Sequence, residues 1–184
     1  MKNILLMFSH DVEDVEAIAT RALLIRAGLN VVTATFQKSL QIETAFGIKV
    51  NVDFNVEELN LDDFDMLVIP GGKYVQETID IHDKMQIIAK KFYSEKKPIA
   101  AICAGPRFLD RAGILNEVEF TAHPATGLDS KENYRNVKAL TSKNVITAKG
   151  AGCVYEFVDH IVNFLLGAER AKNLKKSIQL IWLI

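Results

Sequence analysis

Cysteine is scarce in this chain: 184 residues contain two, Cys103 and Cys153. Two thiols build no disulfide framework, and a chain of this length needs none. An excess of charge of one sign is lacking as well. Lys plus Arg is 22 and Asp plus Glu is 23, for a formal net charge of -1. That balance argues against a nucleic-acid or anionic-membrane partner. No apolar run approaches the ~18 residues of a spanning helix. Met1-Lys2-Asn3 leads into only a short apolar stretch, Ile4 to Phe8, which is unlike a signal peptide. A reducing cytoplasm is the expected location, where a thiol stays free. There is no GxGxxG, no Walker loop and no Cys-x-x-Cys. His10, His82, His123 and His160 lack zinc-ligand spacing, so neither a metal nor a cofactor is expected. Internal repeats, low-complexity tracts and linkers are also missing. Length and a 49% apolar content suit one domain over residues 1–184.

What the chain does have is an alternation of buried strands and helices. Ile4 to Phe8 is a continuous apolar run, as in a strand covered on both faces. A helical pattern follows from Val15 to Arg26, stopped by Gly28. Glu16 lies in its first turn, where most acids are surface residues favoured by the helix N-terminus. Val31–Thr35 is the second strand. Lys38–Asp53 reads as a small hairpin, and Glu57–Asp63 as a short helix and loop. Met66–Ile69 is the third strand and ends in Pro70-Gly71-Gly72, where backbone must turn tightly or be closely approached. Asp83–Ser94 is amphipathic, with Met85, Ile88, Ala89 and Phe92 on one side. Further on, Glu119–Thr121 reads as a short strand leading to His123, and Gly127–Arg135 as a loop. Val145–Ala148 is another strand and Gly150-Ala151-Gly152 a turn. Tyr155–Leu166 and Ala168–Lys176 close the pattern as helices.

The central stretch is Pro98-Ile99-Ala100-Ala101-Ile102-Cys103-Ala104-Gly105-Pro106. A short apolar strand ends at Cys103. Pro106 suits the first position of a new helix, and Gly113 ends that helix. A cysteine in a sharp strand-to-helix turn has the geometry of a nucleophile elbow. The helix start is expected to favour thiolate over thiol. Alternating strands and helices imply a mostly parallel sheet covered on both faces, with ligands at the carboxyl ends of the strands. Glu16, Gly71-Gly72, Cys103 and His123 all fall on that edge. Cys103 is then the candidate nucleophile. The Gly72 and Ala104 amides are candidate oxyanion donors. Protonated Glu16 would support a thiolate, whereas ionised Glu16 would oppose it. His123 is a candidate proton shuttle.

These residues resemble a known family. Ala100–Pro106, Pro70-Gly71-Gly72, Glu13-Asp14-Val15-Glu16 and Thr121-Ala122-His123-Pro124 are similar to the ThiJ/PfpI superfamily, and within it to the branch of the Parkinson-linked protein deglycase. The resemblance implies a flavodoxin-like α/β three-layer sandwich, usually a homodimer. It implies Cys103 as the oxidisable nucleophile, Glu16 as its protonated partner, His123 as the nearby histidine, and Gly72 and Ala104 as oxyanion-binding amides. Ala104 stands where the peptidase-like branch has a histidine, which speaks against protease activity. Activities of the deglycase branch imply a small aldehyde or glycated substrate, handled through Cys103. A redox sensor or redox-regulated chaperone, using oxidation of Cys103, is the alternative.

The last segment, Ile178 to Ile184, has one polar residue in seven and is too short to span a bilayer. Each large apolar side chain gains roughly 1.5–3 kcal/mol on burial. The segment is therefore expected to pack on its own domain or on a partner subunit, with a lid over Cys103 as the sharper alternative.

Overall fold

The structure is a computed structural model that describes residues 1–179. The chain opens with β1 (Asn3–Met7), then a π-helical turn (Val15–Ala19) that runs on into α1 (Thr20–Arg26). β2 (Asn30–Thr35) follows, then the hairpin strands β3 (Gln41–Glu43) and β4 (Lys49–Asn51), and the two-residue β5 (Phe54–Asn55). Two short 3-10 turns lead into β6 (Met66–Ile69), α2 (Lys73–Thr78) and α3 (Lys84–Ser94). β7 (Ile99–Ile102) and α4 (Pro106–Arg111) form the centre. The chain closes with β8 (Ala139–Ser142), β9 (Val145–Ala148), α5 (Val154–Leu166) and α6 (Ala168–Ser177).

Seven strands form one sheet in the order β5-β2-β1-β6-β7-β9-β8. All neighbours run parallel except β8, which pairs antiparallel to β9. β3 and β4 make a separate two-stranded hairpin, as the sequence reading has it. α1 packs with α5 and α6 with α5, whereas α3 packs with α4 against β6 and β7. The result is the expected flavodoxin-like α/β arrangement. Its central strands β6, β7 and β9 are buried at every position. That explains their unbroken apolar sequence, since a parallel strand has no solvent face. The chain winds outward from β1 in both directions, to β2 and to β6, so a crevice opens at the carboxyl ends of β1 and β6.

Four elements depart from the sequence reading. Glu119–Thr121 is no strand: Phe120 makes only an isolated parallel bridge to Tyr134. The edge position beside β9 is taken by β8, whose register runs from Ala139 opposite Ala148 to Ser142 opposite Val145. Lys143, at φ 53, makes the tight turn between the two without the glycine that would advertise it. α2 also goes unread, because its six residues follow Gly71-Gly72 too closely to show a period. The first turn of the helix before α1 is π-helical, and no residue type announces that. Of the expected apolar tail, Ile178 packs partly buried against the core. Residues 180–184 lie outside the described residues, so the packing and lid readings fall there. Among the described residues, no helix is long and apolar enough to cross a membrane.

The helix α3 shows its buried side clearly: Phe92 is 0% exposed and Ile87 56%. Phe92→Ala is expected to cost ~3–5 kcal/mol of unfolding free energy, from lost burial and the cavity left behind. Ile87→Ala should stay within about 0.5 kcal/mol of the parent. Urea unfolding of the two variants checks this, and a larger loss in Ile87→Ala than in Phe92→Ala would mean that α3 is turned the other way.

Candidate active site

Three strand ends meet at the crevice. β1 delivers Glu16 through the π-helical turn, β6 delivers Gly71 and Gly72, and β7 delivers Cys103. Glu16 is 0% exposed, which corrects the surface placement that most first-turn acids have. Its Oε2 accepts the Gly71 N–H at 2.8 Å. The Glu16 backbone N–H donates to the Glu13 carboxylate at 2.7 Å, which anchors the turn. Among the described residues, Glu16 Oε1 is buried without a hydrogen-bond partner of its own. The Cys103 thiol and the Ala151 amide still act on this carboxyl, and both favour its charged form.

Gly71 is the point of closest approach. A Cβ there would lie 2.7 Å from Glu16 Oε2, 2.8 Å from Cys103 Cβ and 2.9 Å from the Ala104 nitrogen. Gly72 is constrained for a second reason. At φ 129 its backbone suits glycine alone, and a Cβ would sit 2.2 Å from the Asp11 carbonyl oxygen. Both glycines therefore meet the demand for tight turning or close approach read from Pro-Gly-Gly.

Cys103 has φ 60, in the left-handed region, immediately after β7. A non-glycine residue held there is strained, as in a nucleophile elbow. The turn is pinned by the Cys103 N–H donating to the Ala148 oxygen at 3.0 Å and by the Gly105 N–H donating to the Ile102 oxygen at 2.8 Å. Pro106 opens α4 at the first helical position.

His123 reaches the same place from a loop. Its N–H donates to the Cys103 carbonyl at 3.0 Å. The loop is held to β9 by the Thr121 N–H donating to Thr147 Oγ1 at 2.8 Å. The His123 Nδ1 accepts the Ala125 N–H at 3.3 Å, so the neutral ring carries its hydrogen on Nε2, which is the donor. The ring is exposed. A methyl on Gly150 would lie 3.7 Å from the His123 ring and 3.8 Å from Cys103 Sγ. A cavity of about 230 Å³ is lined by Gly72, Cys103, Ala104, His123 and Thr126, among others. The structure thus gathers all five sequence-derived site residues: four on the cavity wall, and Glu16 buried behind Cys103.

The electrostatics correct one expectation. Burial raises the Glu16 carboxyl from its ordinary 4.5 to about 7, against the opposing pull of the Cys103 thiol and the Gly71 amide. Burial likewise pushes the Cys103 thiol well above the ordinary thiol range, and the Glu16 charge adds to this. The Ala104 amide favours the thiolate, as the helix start was expected to, but burial and Glu16 outweigh it. The resting group is therefore a thiol beside a carboxyl that titrates near neutrality.

Two further contributors go unread in the sequence. Tyr74 is buried on α2, and its hydroxyl donates to the Pro70 oxygen at 2.7 Å, bracing the turn before Gly71. Burial holds its phenol above the usual range, with the Glu16 and Cys103 charges adding to the effect. Gly150 and Ala151, after β9, close the site from the far side; the sequence shows them only as a turn. Cys153 lies half-buried at the residue before α5 and outside the cavity lining. Among the described residues, no group of three or more His, Cys, Asp or Glu is gathered as metal ligands.

A family model described as the DJ-1/PfpI family matches residues 2–164. The chain belongs to the DJ-1/PfpI family. A deglycase of Pyrococcus abyssi is 33% identical over 165 residues, which cover 88% of this chain and 98% of that protein. The protein DJ-1 homolog B of Arabidopsis thaliana is 32% identical over 90% of this chain and 38% of its own length. Among solved structures, oxidized Toxoplasma gondii DJ-1 superposes with a TM-score of 0.90 at 25% identity, covering 97% of this chain and 98% of that one. The DJ-1/PfpI match spans every strand that carries the cavity.

The Glu16 shift has a consequence for stability. Unfolded, Glu16 releases its proton near 4.5; folded, it holds the proton up to about 7. Below 4.5 both states are protonated and the contribution is fully present. It is lost as pH rises through about 7, by about 3 kcal/mol in all. Glu16→Gln does not titrate, so its melting temperature should gain on the parent between pH 5 and pH 8. Thermal unfolding followed by circular dichroism at both pH values reads this out; two parallel curves would contradict the buried, proton-holding carboxyl.

Proposed function

We propose that this protein is a cysteine-dependent stress-response enzyme of deglycase or glyoxalase type. It acts without glutathione on reactive α-oxoaldehydes such as methylglyoxal, or on their adducts with amines and thiols. The observation that carries the reading is a buried carboxyl titrating near 7, set against the thiol of a strained elbow at the back of a small cavity. Relatives named as deglycases support the same reading.

In this reading Cys103 Sγ adds to the aldehyde carbon while its proton passes to ionised Glu16, giving a hemithioacetal. Such a base is needed because the thiol rests protonated, and a carboxylate with a pKa near 7 is matched to the task. The Gly72 and Ala104 amides hold the oxygen on which charge develops. Glu16 hands that proton on to the hemithioacetal oxygen and is ionised again. It then takes the proton from the former aldehyde carbon and returns it to the neighbouring carbonyl carbon, to whose oxygen the His123 Nε2–H donates, which yields a thioester of the hydroxy acid. Water cleaves the thioester, releasing lactate and the thiol. The net change is one water added to methylglyoxal, with no external oxidant or reductant.

A second reading uses the same thiol as a redox sensor or a redox-regulated chaperone. The Ala104 amide that favours a negative sulfur favours it here as well. Two equivalents of peroxide take the thiol to a sulfinate and release two waters. On either reading Cys103 reacts ahead of Cys153. A second copy of the chain is the proposed partner. Val15, Ile18, Phe46 and Ile48 are exposed. The hairpin tip is tied to the π-helical turn where Asp14 accepts from Thr44 Oγ1 at 2.7 Å and from the Phe46 N–H at 3.1 Å. Light scattering is expected to give twice 20.5 kDa, and Phe46→Glu to shift it toward the single-chain mass. A 20.5 kDa species at micromolar concentration for the parent would contradict the dimer.

The enzyme reading is tested with purified protein, methylglyoxal and a lactate assay. The parent should produce lactate and Cys103→Ala none. Glu16→Gln should lower kcat by about 10²-fold or more, the usual scale of lost general base catalysis. Lactate formation that survives Cys103→Ala would overturn the mechanism. No lactate from the parent, with sulfinate forming at Cys103 under mild peroxide, would favour the sensor.

A further inference from the structure

α2 and α4 face each other across the mouth of the Cys103 cavity, and two arginines of α4 reach across to α2 or to the residues just after it. At the outer rung Arg111 pairs with Asp80, Nη2 to Oδ1 at 3.2 Å. One helical turn nearer the nucleophile, Arg107 hydrogen-bonds the Gln76 side-chain oxygen. The spacing is identical on both sides, since 107 and 111 are four apart, as are 76 and 80. The chemistry differs: an acid neutralises the outer arginine, whereas a neutral amide only positions the inner one. Among the described residues, Arg107 has no carboxylate partner. Arg107 and Gln76 both line the cavity that holds Cys103, and no acid is among its lining residues. Glu16 lies behind Cys103 and is fully buried.

Arg107 is half-buried and held in place. Its N–H also donates to the Ala104 oxygen at 3.0 Å, so the residue sits one turn beyond the oxyanion amide. A guanidinium presents a planar fork of donors suited to a carboxylate. Left with a neutral partner beside a nucleophile, it is charge in wait of an anion.

We propose that Arg107, positioned by Gln76, selects substrates whose reactive carbon is linked to a carboxylate, so that the preferred substrate is an anionic α-oxoaldehyde. The substrate class rests on the aldehyde reading of Cys103; the anion preference does not. With the aldehyde carbon at Sγ, the carboxylate lies toward Arg107. Methylglyoxal offers nothing there, whereas 4,5-dioxopentanoate carries the same α-oxoaldehyde with a carboxylate at its far end.

Two measurements separate the claims. Alkylation of Cys103 compares iodoacetate with iodoacetamide; in each, a C–S bond forms, iodide leaves and the thiol proton goes to solvent. Peptide mass spectrometry reads the rate at Cys103 alone. The ratio of iodoacetate to iodoacetamide rates should fall about tenfold in Arg107→Leu, the scale of a lost charge-assisted contact. Gln76→Glu should lower it too, because an acid would then neutralise Arg107 as Asp80 does Arg111. Position 76 is exposed, so this variant is expected to fold. Separately, the parent should show a higher kcat/KM for 4,5-dioxopentanoate than for methylglyoxal, and Arg107→Leu should bring that ratio toward one. A rate ratio for alkylation that is the same in parent and both variants would overturn the proposal. So would an aldehyde preference that survives Arg107→Leu. An alkylation preference that follows Arg107, with neither aldehyde turned over, supports the anion site and overturns the aldehyde reading instead.

Discussion

The site depends on one missing carbon atom. Glu16, Cys103 and Ala104 come from separate parts of the chain, yet all three press on Gly71 to within 2.7–2.9 Å of where a Cβ would stand. Because that space is open, the Gly71 amide reaches the Glu16 carboxylate at 2.8 Å, and the elbow backs directly against both. Any side chain at position 71 would part the acid from the thiol. The sheet supplies the rest of the constraint. β1, β6 and β7 are adjacent and parallel, so the residues that follow them must emerge at one edge.

The closeness so enforced determines the protonation chemistry. Two acidic groups are brought together in a buried place: the Glu16 charge opposes ionisation of Cys103, whereas the Cys103 thiol, as a donor, favours the charged form of Glu16. Burial is the largest influence on both, which is why the carboxyl rises to about 7 and the thiol rises beyond its ordinary range. The helix start, on its own, would have activated the sulfur; the turn before α4 contributes one effective amide, that of Ala104, against that burial. On the proposed mechanism activation belongs to the pair: Glu16 accepts the thiol proton as the sulfur attacks, and once neutral it ceases to repel the new charge. The strain at Cys103, φ 60, holds Sγ at the point where that exchange can occur.

Much of this is legible in the chain. β1, β2, β6, β7 and β9 show as apolar runs because a parallel strand covered on both faces has no reason to alternate. The elbow shows because Cys103 is followed at once by Gly105 and Pro106, a helix-start signal. Glu16 is legible in position and not in environment: sequence places it after β1, but only the π-helical turn rotates it inward, and no residue marks a π turn. Tyr74 is hidden for another reason. α2 is six residues long, too short for a helical period, so nothing distinguishes its inward face. β8 escapes because its turn to β9 uses Lys143 and Asn144 instead of a glycine pair. Phe120 suggests a strand by its neighbours, but the edge it would need is already filled by β8. Gly150 and Ala151 read as a bare turn because their role is to leave room, and room has no sequence signature.

The helix pair over the cavity follows the same logic at lower cost. α2 and α4 are each too short to be stable alone, and their stability comes from what they bury: Tyr74 and Val75 from one, Phe108 and Leu109 from the other. Tyr74 and Phe108 meet with ring centroids 6.0 Å apart, so the two helices share one small aromatic contact beneath their polar sides. With the inner faces committed to packing, the outer faces are free to carry charge without loss of fold. Arg111 and Asp80 spend that freedom on an exposed ion pair, which contributes little to stability. Arg107 and Gln76 occupy the rung that opens on the Cys103 cavity, and there the guanidinium meets a neutral amide instead of an acid. The cavity is lined by Gly72, Cys103, Ala104, His123 and this guanidinium among others, and no carboxylate is among its described lining residues. The helix rungs thus vary in charge above a glycine, acid and thiol whose arrangement they do not determine.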